Sequence, residues 1–532
     1  MTFASPRLAS VAAVASIAAA LSLVPAAGAA AEDVEPADAP PAFRLADARD
    51  AGPQSSRLVL SPAIETPLQI RGDIPSSWRS AQADKAVKPA GTEGGPEEWG
   101  NALRKSYAIP ALEIIAFDTL LNLFNRAYFG CCDYDTDFNS IERNLRRSWV
   151  VDNDPYDINQ LGHPYQGSMY HGFARSAGLN YWQALGYTFA GSAFWEIAGE
   201  TTPPSRNDQI TTGIGGTFLG EALFRMSNLV LEKGGGLSRP YRELAAAAIS
   251  PPTGFNRLVF RERFGSVYPS RDAAYYSRLS IGAVGTTQNV QGTTTEIKRN
   301  EGVVDFSLDY GLPGKKDYVY RRPFDYFSFQ LAASTGTGFE SLFTRGLLVG
   351  ADHGAGTNYR GVWGLYGSFD YFAPQIFRIS STALSLGTTA EWRASPSVAV
   401  QGSLLAGVGY AGVSTIHGVR DQDYRYGVAP QGLVALRMIF ADRASLDLTA
   451  RQYYVSRVGR DTAGRGGHDN VARAEASFTW RIHKQHAIAI KYLWSHRDAS
   501  YPVIGDRSQT RGTLGIFYTL LGDDRMGAMD WN

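Results

Sequence analysis

Apolar and polar residues alternate strictly in the last third of the chain. In the clearest stretch, 471–482, every second side chain is apolar: Ala472, Ala474, Ala476, Phe478, Trp480 and Ile482. The side chains of a strand point alternately to its two faces, so this pattern predicts a strand with one apolar and one polar face. Comparable segments follow one another from residue 278 onward, each ended by a turn or a polar loop, and we count about twelve.

The number and length of these segments predict a β-barrel. An even number of strands with roughly nine to eleven residues each is typical of barrels that cross an outer membrane. We therefore predict an α+β fold, in which an N-terminal helical block precedes a roughly 12-stranded antiparallel outer-membrane β-barrel over 273–522. A soluble β-sandwich is the alternative, and it would need a second sheet to cover each apolar face. The most regular segments are 304–310, 327–333, 398–410, 445–451, 472–482, 487–495 and 513–520.

The connections between the segments predict the orientation of the barrel. Short turns alternate with long polar loops along the chain, at 394–396, 414–423, 441–443, 458–468, 484–485 and 498–507. Outer-membrane barrels have short periplasmic turns and longer external loops, so this order predicts that both barrel ends lie in the periplasm. The helical block is then expected on the periplasmic side or, as a plug, inside the lumen. Residues 523–532 are expected to form a C-terminal tail beyond the last strand.

The N-terminal part of the chain predicts export. Residues 1–31 combine Arg7, an apolar Ala/Val/Leu core and small residues suited to cleavage, as a secretory signal peptide does. Residues 32–99 are rich in Pro and Ala and show no sustained period, which predicts a disordered linker. Adjacent cysteines form a disulfide only in a strained ring, so Cys131 and Cys132 are expected to be two plain thiols.

Residues 100–263 predict a helical block. A helix that opens at Pro110 has apolar residues at helical spacing, interrupted by Glu113 and Asp118, so it is expected to be amphipathic and not a membrane span. Further helices are predicted from 163, over 181–199 and over 209–231, and the turn 203–208 is expected to cap the last of them.

Small and large residues in these helices predict close packing. Gly216 and Gly220 lie one turn apart, which lets another helix approach closely. The helix 181–199 is apolar on nearly every side, with Trp182, Phe189 and Trp195 among its large residues. Such a helix is normally buried, so the block is expected to dock against the barrel as a folded unit.

The motifs of the block resemble one known family. The motifs are His163-Pro164-Tyr165-Gln166-Gly167, Trp195-Glu196 with Glu200, Pro204-Ser205 with Asn207-Asp208, and Gly215-Gly216 leading to Gly220-Glu221 and Arg225. Together they resemble the domain of unknown function 3943 family, over roughly 100–250. That family consists of bacterial envelope proteins in which a helical segment precedes a β-rich half. The resemblance implies no activity, because none is assigned to the family.

Polar residues of the same block are candidates for chemistry. The candidate reactive residues are His163, Ser168, His171, Glu196, Glu200 and Asp208. Two carboxylates with a histidine could act as acid and base or bind a divalent metal, and Ser168 with His171 could form a nucleophile and its base. No recognised catalytic spacing is present, and no metal or cofactor is predicted. The alternative is a structural network of buried polar pairs that includes Arg175, Arg206, Asn207, Glu221 and Arg225.

Composition narrows the function further. Lys plus Arg and Asp plus Glu both number 51, so no charge excess points to nucleic acid. The expected partners are outer-membrane lipids and the barrel-insertion machinery. A non-enzymatic channel, transport or envelope-assembly role is favoured, and a lipid-acting hydrolase or acyltransferase that uses the His/Glu/Asn/Asp cluster is the alternative.

Overall fold

The computed structural model describes residues 99–100, 104–129, 132–152, 154–234, 236–290, 297–415, 424–457, 466–501, 505–523 and 525–529. The predicted signal peptide, Cys131 and all of the predicted linker except Trp99 lie outside these residues. Three π-helical turns occur in the described block, at Ile158–Gly162, Trp195–Gly199 and Thr211–Gly215. The α-helices of the described block are α1 (Ala108–Phe129), α2 (Phe138–Arg146), α3 (His163–Ser176), α4 (Tyr181–Phe194), α5 (Arg206–Ile210), α6 (Gly216–Lys233), α7 (Arg239–Ile249), α8 (Pro251–Val259) and α9 (Arg261–Phe264).

Twelve antiparallel strands close into a barrel, in which β1 pairs with both β2 and β12. The predicted fold class is therefore confirmed, and the β-sandwich alternative is wrong because the single sheet closes on itself. The strands are β1 (Tyr275–Val290), β2 (Ile297–Tyr310), β3 (Phe327–Ser334), β4 (Gly338–Ala355), β5 (Tyr359–Phe372), β6 (Phe377–Ser395), β7 (Val398–Thr415), β8 (Tyr424–Phe440), β9 (Ala444–Arg457), β10 (His468–His483), β11 (His486–Tyr501) and β12 (Gly505–Leu521).

The connections define two ends of the barrel, which we call the turn end and the loop end. The turn end has the short connections 356–358, 396–397, 441–443 and 484–485, together with the longer segment 311–326. The loop end has 291–296, 335–337, 373–376, 416–423, 458–467 and 502–504. The long loop predicted at 498–507 is mostly strand, because β11 and β12 stay paired as far as Tyr501 and Gly505.

Side chains fill the lumen along its height. In its middle, Arg278 and Arg437 bind Asp447 at 2.9 and 2.7 Å, and Lys491 binds Asp305 at 2.7 Å. The cavities between described lumen residues are small, with volumes of about 110 and 30 Å³. Ion pairs and packed side chains therefore occupy much of this part of the described lumen. Towards the loop end the lumen is packed by apolar side chains that include Phe343, Phe372, Ile376, Phe377, Val413 and Tyr453.

The C-terminal tail closes the turn end of the lumen. Residues 523–529 fold back into the mouth of the barrel, where Gln401 Nε2 donates to the carbonyl oxygen of Gly527 at 2.7 Å. Met526 and Met529 are buried there against apolar residues of the lumen wall, among them Tyr276, Ala399, Ile439 and Ala487. The sequence predicted a tail that trails away from the last strand. The described tail residues instead fold back, because Met526 and Met529 are buried against the lumen wall.

The helical block packs against the outside of the barrel. A Cβ on Gly367 of β5, which faces the same side as the exposed Trp363, would lie 2.4 Å from the ring of Phe218 in α6. A Cβ on Gly215 would lie 2.7 Å from Thr382 Oγ1 of β6, on the same outer face. Because these contacts are on the outward side of the strands, the plug-like placement considered from the sequence is wrong for the described helices.

The block extends along the wall from one end of the barrel to the other. Near the loop end, Tyr156 Oη donates to the carbonyl oxygen of Gly412 at 3.1 Å. At the turn end, Arg225 of α6 binds Asp325 of the segment 311–326 at 3.1 Å. A domain that hung below the barrel would not reach both ends of its wall. The docking predicted from the apolar helices is thus present, beside the barrel.

Helix α1 presents its apolar side outward. Leu112 and Leu120 are 65% and 67% exposed, whereas Glu113, Asp118 and Asn122 are buried. The polar side chains point into the block, where Asn122 Nδ2 donates to the carbonyl oxygen of Gly199 at 2.8 Å. The stretch Ala108–Tyr128 is also long and apolar enough to cross a membrane, with a mean hydropathy of 1.3. A surface helix in water buries its apolar face and exposes its polar face. Helix α1 is amphipathic, as predicted, but it exposes its apolar face and buries its polar face.

The bare part of the barrel wall has the same apolar character. Large exposed apolar residues cover the outer face of the strands that the block leaves free, including Ile281, Phe478, Trp480, Ile488, Ile490, Leu514 and Ile516. An apolar surface of this extent is stable only in contact with lipid or another apolar partner. The outward side of α1 and the free wall together give this part of the protein a lipid-compatible surface.

Candidate functional site

Glycines let α3 and α6 cross at very short distance. A Cβ on Gly216 would lie 2.6 Å from the Cα of Gly167, and one on Gly220 would lie 2.8 Å from the Cβ of His171. Any larger side chain at these positions would separate the helices. The close approach predicted from Gly216 and Gly220 is therefore confirmed, and it brings the polar residues of both helices into contact.

A buried ion network occupies this crossing. Glu221 accepts hydrogen bonds from Arg175 Nε at 2.6 Å and from Arg225 Nε at 2.8 Å. His171 Nε2 lies 3.1 Å from the same carboxylate. Burial by itself would raise the pKa of Glu221, but Arg175, the hydrogen bond from His171 and Arg225 together hold that pKa well below its ordinary value. The charge of this buried carboxylate is thus balanced by two arginines.

Three of the residues proposed from the sequence, Ser168, His171 and Arg206, do not have the contacts expected of them. Ser168 Oγ donates to the carbonyl oxygen of Tyr165 at 2.6 Å, and His171 is held by Glu221, so the nucleophile–base pair of Ser168 and His171 is not formed. Arg206, expected in the structural network, is exposed. Its backbone nevertheless starts α5, which Ser205 caps by accepting a hydrogen bond from the N–H of Asp208 at 3.2 Å.

A second polar group lies where the block meets the barrel wall near the loop end. We call it the acid–histidine cluster, and it consists of His163, Glu196, Glu200 and Asp208 together with Asp152 and Asp154. The first four side chains are buried, and the last two are partly exposed. One ligand atom from each of His163, Glu196 and Asp208 lies within 4.8 Å of the other two. The structure thus brings four of the six candidate reactive residues together.

Hydrogen bonds hold the acids of this cluster in place. Glu196 Oε2 accepts from the N–H of Ser205 at 2.7 Å, and Glu200 Oε1 accepts from Trp195 Nε1 at 2.8 Å. Asp208 Oδ1 lies 3.1 Å from Asn207 Nδ2. Glu200 Oε2 also accepts from Thr202 Oγ1 at 3.0 Å, so all these hydrogen bonds come from neutral donors of the block. No lysine or arginine among the described residues pairs with any of them.

Two asparagines connect the cluster to the wall. Asn159 Nδ2 donates to Asp152 Oδ1 at 2.6 Å and to Tyr424 Oη at 2.7 Å. Asn207 Nδ2 is 2.7 Å from the same Asp152 oxygen and 2.9 Å from Tyr426 Oη. Both tyrosines belong to the outward face of β8, just after the loop 416–423. Through these asparagines the acids lie next to the outer face of the wall.

The backbone around the cluster is irregular in a consistent way. Glu196 lies within the π-helical turn Trp195–Gly199, and His163 and Asp208 lie next to the turns Ile158–Gly162 and Thr211–Gly215. A π-helical turn inserts an extra residue and redirects the side chains beside it, and such turns are frequent at functional sites. Three of them around one cluster indicate that its side-chain positions matter more than regular helix geometry.

Burial without a counter-charge alters the titration of these residues. Burial and the neighbouring Glu200 raise the pKa of Glu196, and burial and the neighbouring Asp152 raise that of Asp208. Burial and Asp154 raise the pKa of Glu200 to about 7, whereas burial lowers that of His163. Glu200 is therefore partly protonated near neutral pH, and burial favours the protonated forms of Glu196 and Asp208, which suits acid–base chemistry or the binding of a cation.

Sequence reasoning missed several members of the site. Asp152, Asp154 and Asn159 are not among the candidate residues of the sequence analysis, although the density of acids before His163 was a usable signal. Tyr424 was not identifiable, because its link to Asn159 spans 265 positions and depends on how the block docks.

Comparisons with known proteins support the sequence reading of the block. Residues 148–252 match the family described as domain of unknown function (DUF3943), which confirms the predicted resemblance. No curated protein matches the chain at a significant level.

Solved structures resemble the barrel half only distantly. The NanC porin is 6% identical with a TM-score of 0.23, covering 44% of this chain and 98% of its own. The translocator domain of the autotransporter NalP from Neisseria meningitidis is 14% identical with a TM-score of 0.21, covering 46% and 88%. The Pseudomonas putida toluene transporter TodX is 9% identical with a TM-score of 0.19, covering 46% and 89%. Scores this low carry no inference about activity, and the barrel assignment rests on the strand pairing itself.

Proposed function

We propose that the protein is an outer-membrane protein that acts on membrane lipids through its helical block, with the barrel as its anchor. The observation that carries this proposal is the placement of the acid–histidine cluster. It lies between the block and the outer face of the wall, whereas ion pairs, apolar side chains and the C-terminal tail pack into the described lumen. The alternative of a lipid-acting hydrolase or acyltransferase is therefore favoured over the channel or transport role.

The membrane location rests on the outer surface of the protein. The free barrel wall and the outward side of α1 are both apolar, and α1 keeps its acidic residues inside. If long loops face the outside of the cell, the cluster near β8 lies at the level of the outer leaflet. Lipopolysaccharide and phospholipid, the amphiphiles present there, would reach it laterally from the membrane.

The chemistry proposed is cleavage or transfer of an ester-linked group. In hydrolysis, a base takes a proton from water as the water oxygen bonds to the ester carbon, and an acid protonates the leaving oxygen as its bond breaks. The cluster offers Glu200, whose pKa is raised to about 7, beside His163, whose pKa is lowered by burial. Asp152 and Asp154, which are partly exposed, mark the side from which a substrate headgroup would approach.

The test compares lipids from cells that lack the protein and cells that express it. Mass spectrometry of phospholipid and lipid A should show a change in acylation or headgroup composition that wild-type protein produces and Glu196→Gln does not. Glu142→Gln is the matched control, because Glu142 is an exposed glutamate of α2 that contacts only Arg146. Equal folding of both variants is checked by the heat-dependent mobility of the barrel in gels.

Two results would overturn the proposal. The first is an unchanged lipid profile in all strains. The second is ion conductance by the purified wild-type protein in planar bilayers, which would return the function to the lumen.

A further inference from the structure

The acid–histidine cluster contains more buried negative charge than its surroundings compensate. Elsewhere in the same block, the buried carboxylate of Glu221 is paired with two arginines, at 2.6 and 2.8 Å. Glu196, Glu200 and Asp208 are equally buried, yet the described residues give them only neutral donors and His163. Burying uncompensated carboxylates is costly, so a cation is the missing partner that this arrangement calls for.

The geometry points to a mononuclear site. We propose that His163, Glu196 and Asp208 bind one divalent transition-metal ion. Their ligand atoms lie within 4.8 Å of one another, and bonds of about 2.0–2.2 Å from nitrogen and oxygen to a central ion require only small further contraction. His163 belongs to α3, Glu196 to the π-helical turn that follows α4, and Asp208 to α5. The ion would therefore connect three elements of the block.

A further buried polar side chain is bonded to an acid of the cluster. Asn159 is fully buried, and its Oδ1 has no hydrogen-bond partner, although its Nδ2 binds both Asp152 and Tyr424. A buried amide oxygen without a donor is destabilising by about 1–3 kcal/mol. A metal-bound water molecule beside Asp152 would supply that donor. This orphan oxygen is independent of the acids and indicates a hydrated ligand next to them.

The ligand set favours a transition ion over calcium or magnesium. Imidazole nitrogen suits zinc, manganese and iron, whereas calcium and magnesium prefer oxygen ligands only. The hydrogen bonds that hold Glu196 through Ser205 and Asp208 through Asn207 would orient one oxygen of each ligand, as outer-shell donors do in metal sites. The inference is independent of the proposed lipid chemistry, because the ion would bind whether or not the block turns over a substrate.

The experiment measures metal content and affinity of the full-length protein in detergent. After chelator treatment, the protein is dialysed against Zn²⁺ or Mn²⁺, in parallel with Ca²⁺ and Mg²⁺, and bound metal is counted by mass spectrometry. We expect one Zn²⁺ or Mn²⁺ per chain and at least tenfold weaker binding of Ca²⁺ and Mg²⁺. Glu196→Gln and Asp208→Asn should each weaken transition-metal binding by about 10–100-fold or more. Glu243→Gln, which alters a carboxylate paired with Arg257, should not.

A second measurement does not depend on folded variants. X-ray absorption of the Zn²⁺-loaded wild-type protein should show nitrogen and oxygen ligands, with one imidazole. Three results would overturn the proposal: less than a tenth of a metal ion per chain, wild-type affinity in both ligand variants, or a zinc site with sulfur ligands, which would indicate adventitious binding to the cysteines. Because the readout is metal content, it is unaffected by the outcome of the lipid assay.

Discussion

Removal of the Glu221 carboxylate is the sharpest test of the α3–α6 crossing. Glu221→Gln keeps the size of the side chain but removes the carboxylate that pairs with the buried Arg175, and it leaves Arg225 paired with Asp325 alone among the described acids. Breaking a buried pair in this way costs about 3–5 kcal/mol. A typical domain is stable by about 5–15 kcal/mol, so the variant should lose a large part of the stability of the block.

The measurement is urea unfolding in detergent, followed by tryptophan fluorescence. Trp99 is a suitable reporter because the guanidinium of Arg175 stacks on its ring at 4.8 Å. The matched control is Glu142→Gln in α2, whose partner Arg146 is exposed and one turn away. Such a surface pair contributes about 0.3–0.5 kcal/mol. A loss below about 1 kcal/mol in Glu221→Gln, or one equal to that of the control, would refute the reasoning.

The pH dependence of the stability difference between the wild type and Glu221→Gln gives a second check. The folded state holds the pKa of Glu221 below its ordinary value of 4.5, so its stabilisation is fully present above that pH. It is lost only as the pH falls below 4.5 towards the folded pKa. The stability gap between the wild type and Glu221→Gln should therefore stay constant from pH 8 to about 5 and narrow only in stronger acid. A gap that already closes between pH 7 and 5 would contradict this assignment.

Three further predictions concern packing, lipid contact and the tail. Gly216→Ala places a Cβ 2.6 Å from a backbone atom of α3 and should make the block protease-sensitive, whereas Gly186→Ala, with open space at its Cβ, should not. Leu120→Arg on α1 should lower stability in lipid vesicles by about 2.5–3.5 kcal/mol if that side faces hydrocarbon, and by less than about 0.5 kcal/mol if it faces water. In a cysteine-free background, Ala399→Cys should react with a polar maleimide only after deletion of 523–532, because Met529 packs on Ala399. Labelling in the intact chain would show that the tail does not close the turn end.

The strands were predictable because their signal is local. Alternation along 472–482 requires only that one face of the strand differ from the other, and in β10 the predicted polar face includes the buried Arg473 and Ser477. The N-cap at 203–208 and the close approach at Gly216 were predictable for the same reason. Each depends on a few residues adjacent in the sequence.

The placement of the block was not predictable in this way. Outward-facing apolar residues such as Phe327 and Phe369 give the same sequence pattern whether lipid or a helix covers them. Here the helical block covers them. Periodicity likewise identified the two faces of α1 but not which of them faces outward. Which face of α1 is turned outward depends on the surrounding medium: the apolar face in a bilayer, and the polar face in water.

The acid–histidine cluster was predictable only in part. His163, Glu196, Glu200 and Asp208 could be identified as candidates from their residue types, but their proximity depends on how three helical segments and their π-helical turns pack. The same list included His171 and Ser168, which have structural partners. Only the fold separates the two groups.

The central claim, that the helical block lies on the outer face of the barrel wall, can be tested by a disulfide cross-link. A Cβ on Gly215 would lie 2.7 Å from Thr382 Oγ1, close to the distance of about 3 Å between the Sγ of one cysteine and the Cβ of the other in a disulfide, so the pair Gly215→Cys and Thr382→Cys should oxidise readily in a cysteine-free background. The neighbouring Ala383 points into the lumen, because successive strand residues face opposite sides. The account predicts a cross-linked band for 215 with 382 and none for 215 with 383. A cross-link to 383, or none to 382, would contradict it.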